Sequence, residues 1–190
     1  MTDTYEINLC GVKRTLPLIP IDDTTAFASF VIISDTELIS RVAGELIKKI
    51  GAVDVLVTAE AKGIALTYEM SRQLGMKDFI VARKGVKNYM RHYIGVEVNS
   101  ITTAGTQHLY LDEADADKVR GRRVCLVDDV ISTGESIHAI DELVKKSGGN
   151  VVCRAAVLAE GDAAKRRDIV YLQKLPLFHK TASGAYEPVN

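Results

Sequence analysis

The sequence predicts an α/β domain built on a mainly parallel, twisted sheet with helices on both faces. Three observations carry this. Short β-branched runs alternate with segments of helical spacing along most of the chain. Each run is apolar on both faces, as a strand between two helical layers must be. One run, in "VCLVDDVISTGES" (Val124–Ser136), leads into two adjacent aspartates and then Ser, Thr and Gly. Ligands of open parallel sheets bind just there, beyond the carboxyl ends of the strands.

The totals agree with one domain over 1–190. A chain of 190 residues, 47% hydrophobic and 26% charged, can bury a sizeable core. No repeat or low-complexity linker divides it. A net charge of -1 gives no bulk attraction to nucleic acid or to an acidic membrane. No stretch is apolar enough to span a bilayer, and "MTDTYEINLC" lacks the basic and apolar regions of a signal peptide. Cys10, Cys125 and Cys153 are scattered without a CxxC pair, so reduced thiols are expected, the latter two buried in apolar runs. The expectation is a soluble cytoplasmic protein with no nucleic-acid or membrane partner.

Taken in order, residues 1–35 read as irregular, mixing Pro, Asp and Thr with apolar residues. "SDTELISRVAGELIKKIG" spaces Ile39, Val42, Ala43, Leu46, Ile47 and Ile50 as a helix, with Ser34 or Asp35 to cap it and Gly51 to end it. "VDVLVT" is a buried strand, "GIALTYEMSRQLG" a helix closed by Gly75, and "DFIVAR" a second strand. Residues 91–111 break the rhythm: "YIGVEVNSITT" and "TQHLYL" flank Ala104-Gly105 as a two-stranded excursion. The rhythm resumes with strand "RVCLVD", a helix over 133–147, Gly148-Gly149, strand "VVCRAAVLA" and a last strand "DIVYL".

The acidic pair is the chemical signal. Ser132 and Glu135 could form a capping box, which would make the loop simply a well-built helix start. That leaves Asp128 and Asp129 unexplained, because adjacent carboxylates repel and burying either one requires hydrogen-bond donors. Vicinal hydroxyls of a ribose supply such donors. Ser132, Thr133, Gly134 and Ser136 then offer N–H and hydroxyl groups at a helix N-terminus, which suits a phosphate. Glu135 is the wrong sign for that role and is expected to turn outward or back to the cap. The whole segment matches a ribose 5-phosphate. Walker A and GxGxxG patterns are absent.

"VCLVDDVISTGES" resembles the 5-phosphoribosyl-1-pyrophosphate (PRPP) motif of the type I phosphoribosyltransferases, here over 122–137. The resemblance implies that family's fold, with an N-terminal hood over 1–35 and a β-hairpin lid over 88–111. It implies Asp128 and Asp129 as the catalytic pair, and residues 132–136, Glu135 included, as the phosphate site. "AEAKGIAL" is similar to the family's pyrophosphate loop, implying substrate-binding roles for Glu60, Ala61, Lys62 and Gly63. A strained or cis peptide there would fall at Ala61–Lys62. "VARKGVKNY" supplies Arg83, Lys84 and Lys87, which in similar enzymes reach pyrophosphate, sometimes across a dimer interface. Phe27, in a hood resembling those of adenine enzymes, would stack on the base, and Phe178 could close the pocket.

Two departures stand out. The lid reads "VNSITTAGT" where adenine enzymes carry several glutamates, with Glu97 the one carboxylate nearby, so no general acid or base is assigned. Phe27-Ala28-Ser29 replaces the usual Phe-Arg-Asp of the hood. His92, His108, His138 and His179 have no metal-like spacing. The implied function is purine salvage: a purine phosphoribosyltransferase, adenine favoured, with Mg²⁺ carried mainly by PRPP, working as a homodimer. The alternatives are a 6-oxopurine (xanthine, hypoxanthine or guanine) enzyme and a non-catalytic PRPP-sensing regulator.

Overall fold

The computed structural model describes residues 3–99 and 106–189. The segment read as irregular is in fact ordered strand. β1 (Thr4–Leu9) and β2 (Val12–Pro20) pair antiparallel across Cys10-Gly11, and β3 (Thr25–Ala28) pairs with β2. Cys10 and Gly11 both have positive φ, 54° and 88°, as a two-residue hairpin turn of matching twist requires. Ile7, Leu9, Val12, Leu16 and Leu18 are buried, the one-face pattern of a sheet laid on a core. Pro and Asp obscured that alternation. A Cys at a left-handed position is also an unusual turn signal.

The helix α1 (Thr36–Ile47) is capped by Asp35, whose side chain accepts from the Leu38 N–H at 3.1 Å. It ends before Gly51, with Lys48 as its C-cap. β4 (Val55–Ala59), α2 (Ile64–Gln73) and β5 (Ile80–Ala82) follow as one βαβ unit, with Gly75 at φ 69° just past the helix. The excursion is a hairpin of β6 (Tyr93–Asn99) and β7 (Thr106–Asp112). Ala104-Gly105, its expected turn, lies outside the described residues. A short helix α3 (Glu113–Val119), unforeseen, is capped by Asp112, which accepts from the Asp115 N–H at 2.8 Å.

β8 (Arg123–Ile131), α4 (Glu135–Lys146), β9 (Asn150–Glu160), a 3₁₀ turn (Gly161–Lys165) and β10 (Val170–Leu175) complete the parallel sheet, ordered β10-β9-β8-β4-β5. Two more strands follow. β11 (Leu177–Lys180) pairs with β3, and β12 (Tyr186–Pro188) with β11, so both ends of the chain build one antiparallel sheet.

Residues of α1, α2 and the antiparallel sheet share one core with Cys125 and Val127 of β8. Residues of α4 and the hairpin share another with Val124 and Leu126. Successive β8 side chains therefore feed opposite cores, the reason "VCLV" is apolar throughout. The expected fold class, a mainly parallel sheet covered on both faces, is the one observed.

Candidate active site

Strand order decides where a ligand can enter. The chain leaves β4 toward β5, returns to lay β8 on β4's other side, and then moves on to β9 and β10. The sheet reverses direction between β4 and β8, and a crevice opens beyond the carboxyl ends at that point. β8 pairs with β9 from Arg123 to Ile131, but with β4 only over Val124–Leu126. The two adjacent strands thus part just before the aspartates, and the loop after β4 drops into the gap.

Gly63 shows how closely it fits. A Cβ there would collide with the Thr58 hydroxyl and come within 3.2 Å of the Val127 carbonyl oxygen. Its small size serves contact between the loop and β8 more than approach to a ligand. The cis peptide of this loop is Glu60–Ala61, one residue before the position expected.

The cleft measures about 420 Å³. From the sequence-derived set it is lined by Phe27, Glu60, Ala61, Lys62, Lys84, Asp128, Asp129, Ser132, Thr133, Glu135 and Ser136. Glu135 faces it rather than turning away. Gly63, Gly134, Arg83 and Lys87 are not part of its lining. Gly134 shapes the wall instead: at φ 85° it is the N-cap of α4, and a Cβ would strike the Arg166 guanidinium. Because the helix starts at Glu135 with Gly134 as its N-cap, Ser132 does not stand at the N-cap of a capping box; Thr133 Oγ1 accepts from the Glu135 N–H at 3.4 Å. The helix N-terminus borders the cleft, with Thr133, Glu135 and Ser136 in its lining.

The two aspartates differ. Asp129 is 1% exposed; its Oδ1 accepts from the Val130 N–H at 2.9 Å. Among the described residues no hydrogen bond reaches its buried Oδ2, which lies 3.2 Å from Lys62 Nζ. Asp128 Oδ1 accepts from the Asp129 N–H at 2.9 Å. Burial pushes its carboxyl above the ordinary aspartate range, and the charge on Asp129 pushes it further. A diol would bring further hydroxyl donors to these two carboxylates.

Glu60 works inside the protein. Its Oε1 accepts from Arg83 at 3.0 Å, with Lys87 Nζ 3.9 Å away, and its Oε2 accepts from the Lys84 N–H at 2.9 Å. Those contacts, the Lys84 amide first, hold its carboxyl below the usual glutamate range. Arg83 is thereby tied to Glu60 and, through its backbone, to Tyr110 of β7. Lys84 is left exposed at the mouth.

Phe27 is half-buried on the far wall, paired in register with Leu177. Phe178 does not close the pocket. It is 2% exposed and packs edge-on against Tyr5 at 5.1 Å, and Leu175 lines the cleft in its place. Glu97 stands near His108 at 4.0 Å, beside α4 and away from the cleft. Sequence reasoning missed Leu109, Leu175 and, above all, Glu160. The rule that found the aspartates would have found Glu160 too, since it is a carboxylate at the carboxyl end of an apolar core strand.

A family model described as the phosphoribosyl transferase domain matches residues 32–182. An adenine phosphoribosyltransferase of Thermotoga petrophila is 39% identical over 54% of this chain and 56% of its own length. The matched stretch thus spans little more than half of that relative. A hypoxanthine/guanine phosphoribosyltransferase of Methanococcus voltae is 31% identical over 69% of this chain and 66% of its own. The crystal structure of adenine phosphoribosyltransferase from Thermoanaerobacter pseudethanolicus superposes with a TM-score of 0.69 at 23% identity, over 84% of this chain and 95% of that one. That last likeness concerns the fold.

Proposed function

Because the chain belongs to the phosphoribosyltransferase family, we propose that its cleft transfers the 5-phosphoribosyl group of PRPP to a purine, adenine in preference. One observation carries the reading: the adjacent carboxylates of Asp128 and Asp129, the latter fully buried, share one cleft with the glycine-capped N-terminus of α4. A ribose carrying a 5′-phosphate satisfies both at once.

In this reading a ring nitrogen of the purine attacks C1 of the ribose. The C1–O bond breaks, pyrophosphate leaves with the electron pair, and the N–H proton of the base passes through solvent to the departing pyrophosphate. Asp128 and Asp129 accept from the ribose hydroxyls and favour the positive charge that builds near C1. Ser132, Thr133, Gly134, Glu135 and Ser136 form the phosphate loop, with N–H and hydroxyl donors facing the anion. Glu60, Ala61, Lys62 and Gly63 form the pyrophosphate loop. Lys62 and Lys84 receive pyrophosphate directly, while Arg83 and Lys87 act beside Glu60. Phe27 stacks on the base.

Mg²⁺ is the cofactor we propose. Among the described residues no three His, Cys, Asp or Glu side chains group as a metal site, so PRPP's own oxygens would provide most of the ligands. When bound it would neutralise charge on the leaving group. The reduced Cys125 and Cys153 suit a cytoplasmic protein. Exposed Val86 and Tyr89, beside the basic segment, offer apolar surface for the second copy of a homodimer.

The likeness to the Thermotoga adenine phosphoribosyltransferase favours adenine, and that to the Methanococcus hypoxanthine/guanine phosphoribosyltransferase supports a 6-oxopurine as the second reading. The test is pyrophosphate release from PRPP and Mg²⁺ with adenine, hypoxanthine, guanine and xanthine offered separately. Turnover with adenine above the rest supports the proposal. Silence with all four beside calorimetric PRPP binding points to the sensor reading. Silence without PRPP binding overturns the proposal.

A further inference from the structure

The parallel sheet orders the cleft from side to side. The loop after β4 comes first, then Asp128 and Asp129 of β8, then Glu160 at the end of β9. Leu175, in register with Glu160, follows at the end of β10, and beyond it stands the antiparallel sheet with Phe27. With pyrophosphate on the β4 side and ribose over β8, the base falls to the side of β9, β10 and Phe27. Glu160 is the carboxylate there. It is half-buried, no hydrogen bond reaches its side chain among the described residues, and Lys62 is the charged neighbour that acts on it. Burial lifts its carboxyl above the usual glutamate range. Such a group is satisfied by a donor from whatever fills the cleft.

We propose that Glu160 selects the base, its carboxylate accepting a hydrogen bond from the exocyclic amine of a 6-aminopurine. This rests on the phosphoribosyl reading above and goes beyond it to the choice of purine. The selectivity follows from donor and acceptor counting. An ionised carboxylate only accepts, and the 6-amino group of adenine donates. A 6-oxo group turns an oxygen on the carboxylate, so two acceptors face each other without a proton between them. A hydrogen bond to a charged group contributes roughly 1.5–3 kcal/mol, or about 10- to 150-fold in affinity.

The experiment is calorimetric binding of AMP, IMP and purine riboside 5′-monophosphate, which lacks the 6-substituent, with ribose 5-phosphate as the common reference. Wild type should prefer AMP to both others by at least about tenfold. Glu160→Gln keeps the size and adds a donor, so its AMP-to-IMP ratio should fall at least about tenfold, chiefly by gained IMP binding. Its affinity for ribose 5-phosphate should not change. An unchanged ratio in the variant, or a wild type that does not distinguish AMP from purine riboside monophosphate, overturns the inference. The second comparison needs no variant to fold. If ribose 5-phosphate itself fails to bind wild type, the phosphoribosyl reading has failed first.

Discussion

Lys62 Nζ stands 3.2 Å from Asp129 Oδ2, the lysine 52% exposed and the aspartate 1% exposed. The pair joins the loop after β4 to the acidic strand, and it is lopsided: a buried charge is compensated by a cation at the solvent edge. Lys62→Met should therefore leave Asp129 uncompensated. We expect a loss of about 1–2 kcal/mol, discounted from a fully buried pair because the lysine is half in water. That is about 2–8 °C in Tm. Adding Asp129→Asn should abolish most of the loss; a double variant no more stable than Lys62→Met would refute the coupling.

Asp128 predicts two pH effects of opposite sense. Burial and the charge of Asp129 raise its carboxyl to about 7. Between the unfolded aspartate range and that value, the folded state holds a proton that the unfolded state has lost, so Asp128 erodes stability as pH rises. Asp128→Asn should raise Tm at pH 8 and change it little at pH 4. A variant gap that is widest in acid would contradict this.

Ligand binding runs the other way. In the proposed complex ribose hydroxyls would donate to the ionised carboxylate, so binding should release a proton from Asp128 and strengthen as pH climbs toward neutrality. The ligand's phosphate adds an effect of the same sign near pH ~6. Comparing proton release for wild type and Asp128→Asn, by calorimetry in buffers of different ionisation enthalpy, isolates the Asp128 share. Equal release from both proteins would exclude it.

Gly63→Ala drives a methyl group into the Thr58 hydroxyl and against the Val127 carbonyl. Overpacking of this kind costs about 1–3 kcal/mol. Thr58→Ala should restore part of that stability, since it clears the nearer of the two obstacles. Chemical denaturation of the single and double variants measures the recovery, and no recovery would mean that the carbonyl is the true obstacle.

Glu60→Ala should free the segment 83–87 from the loop, because one carboxylate holds Arg83 and the Lys84 amide together. Its stabilising share is present above the usual glutamate range and is lost as pH falls through its lowered value. The gap in Tm between wild type and variant should thus be larger at pH 7 than at pH 3. In catalysis the expected loss is in pyrophosphate and PRPP affinity, with ribose 5-phosphate binding retained. An equal loss for both ligands would mean a general collapse of the cleft.

Much of this was legible in the chain because it is local. Strand periods, the Asp35 cap, and the Asp128-Asp129 step into Ser132–Thr133–Gly134 are all written within a few consecutive residues. A parallel sheet follows from strands that are apolar on both faces, since only two covering layers can bury both. The carboxylate pair marked the cleft for the same reason: charge that cannot be left bare in a core needs a partner, and both aspartates line it.

What only the tertiary structure decided depends on segments far apart in sequence. The opening strands acquire their identity from Leu177–Lys180 and Tyr186–Pro188, which complete their sheet from the other end of the chain. Glu60 turns inward because Arg83 and Lys84 meet it, and Phe178 is core because Tyr5 covers it. Glu160 joins the cleft because β9 lies between β8 and β10. Sequence spacing encodes which face of its own element a residue occupies; which other element comes to stand opposite is decided by packing, where burial of the whole chain is settled at once.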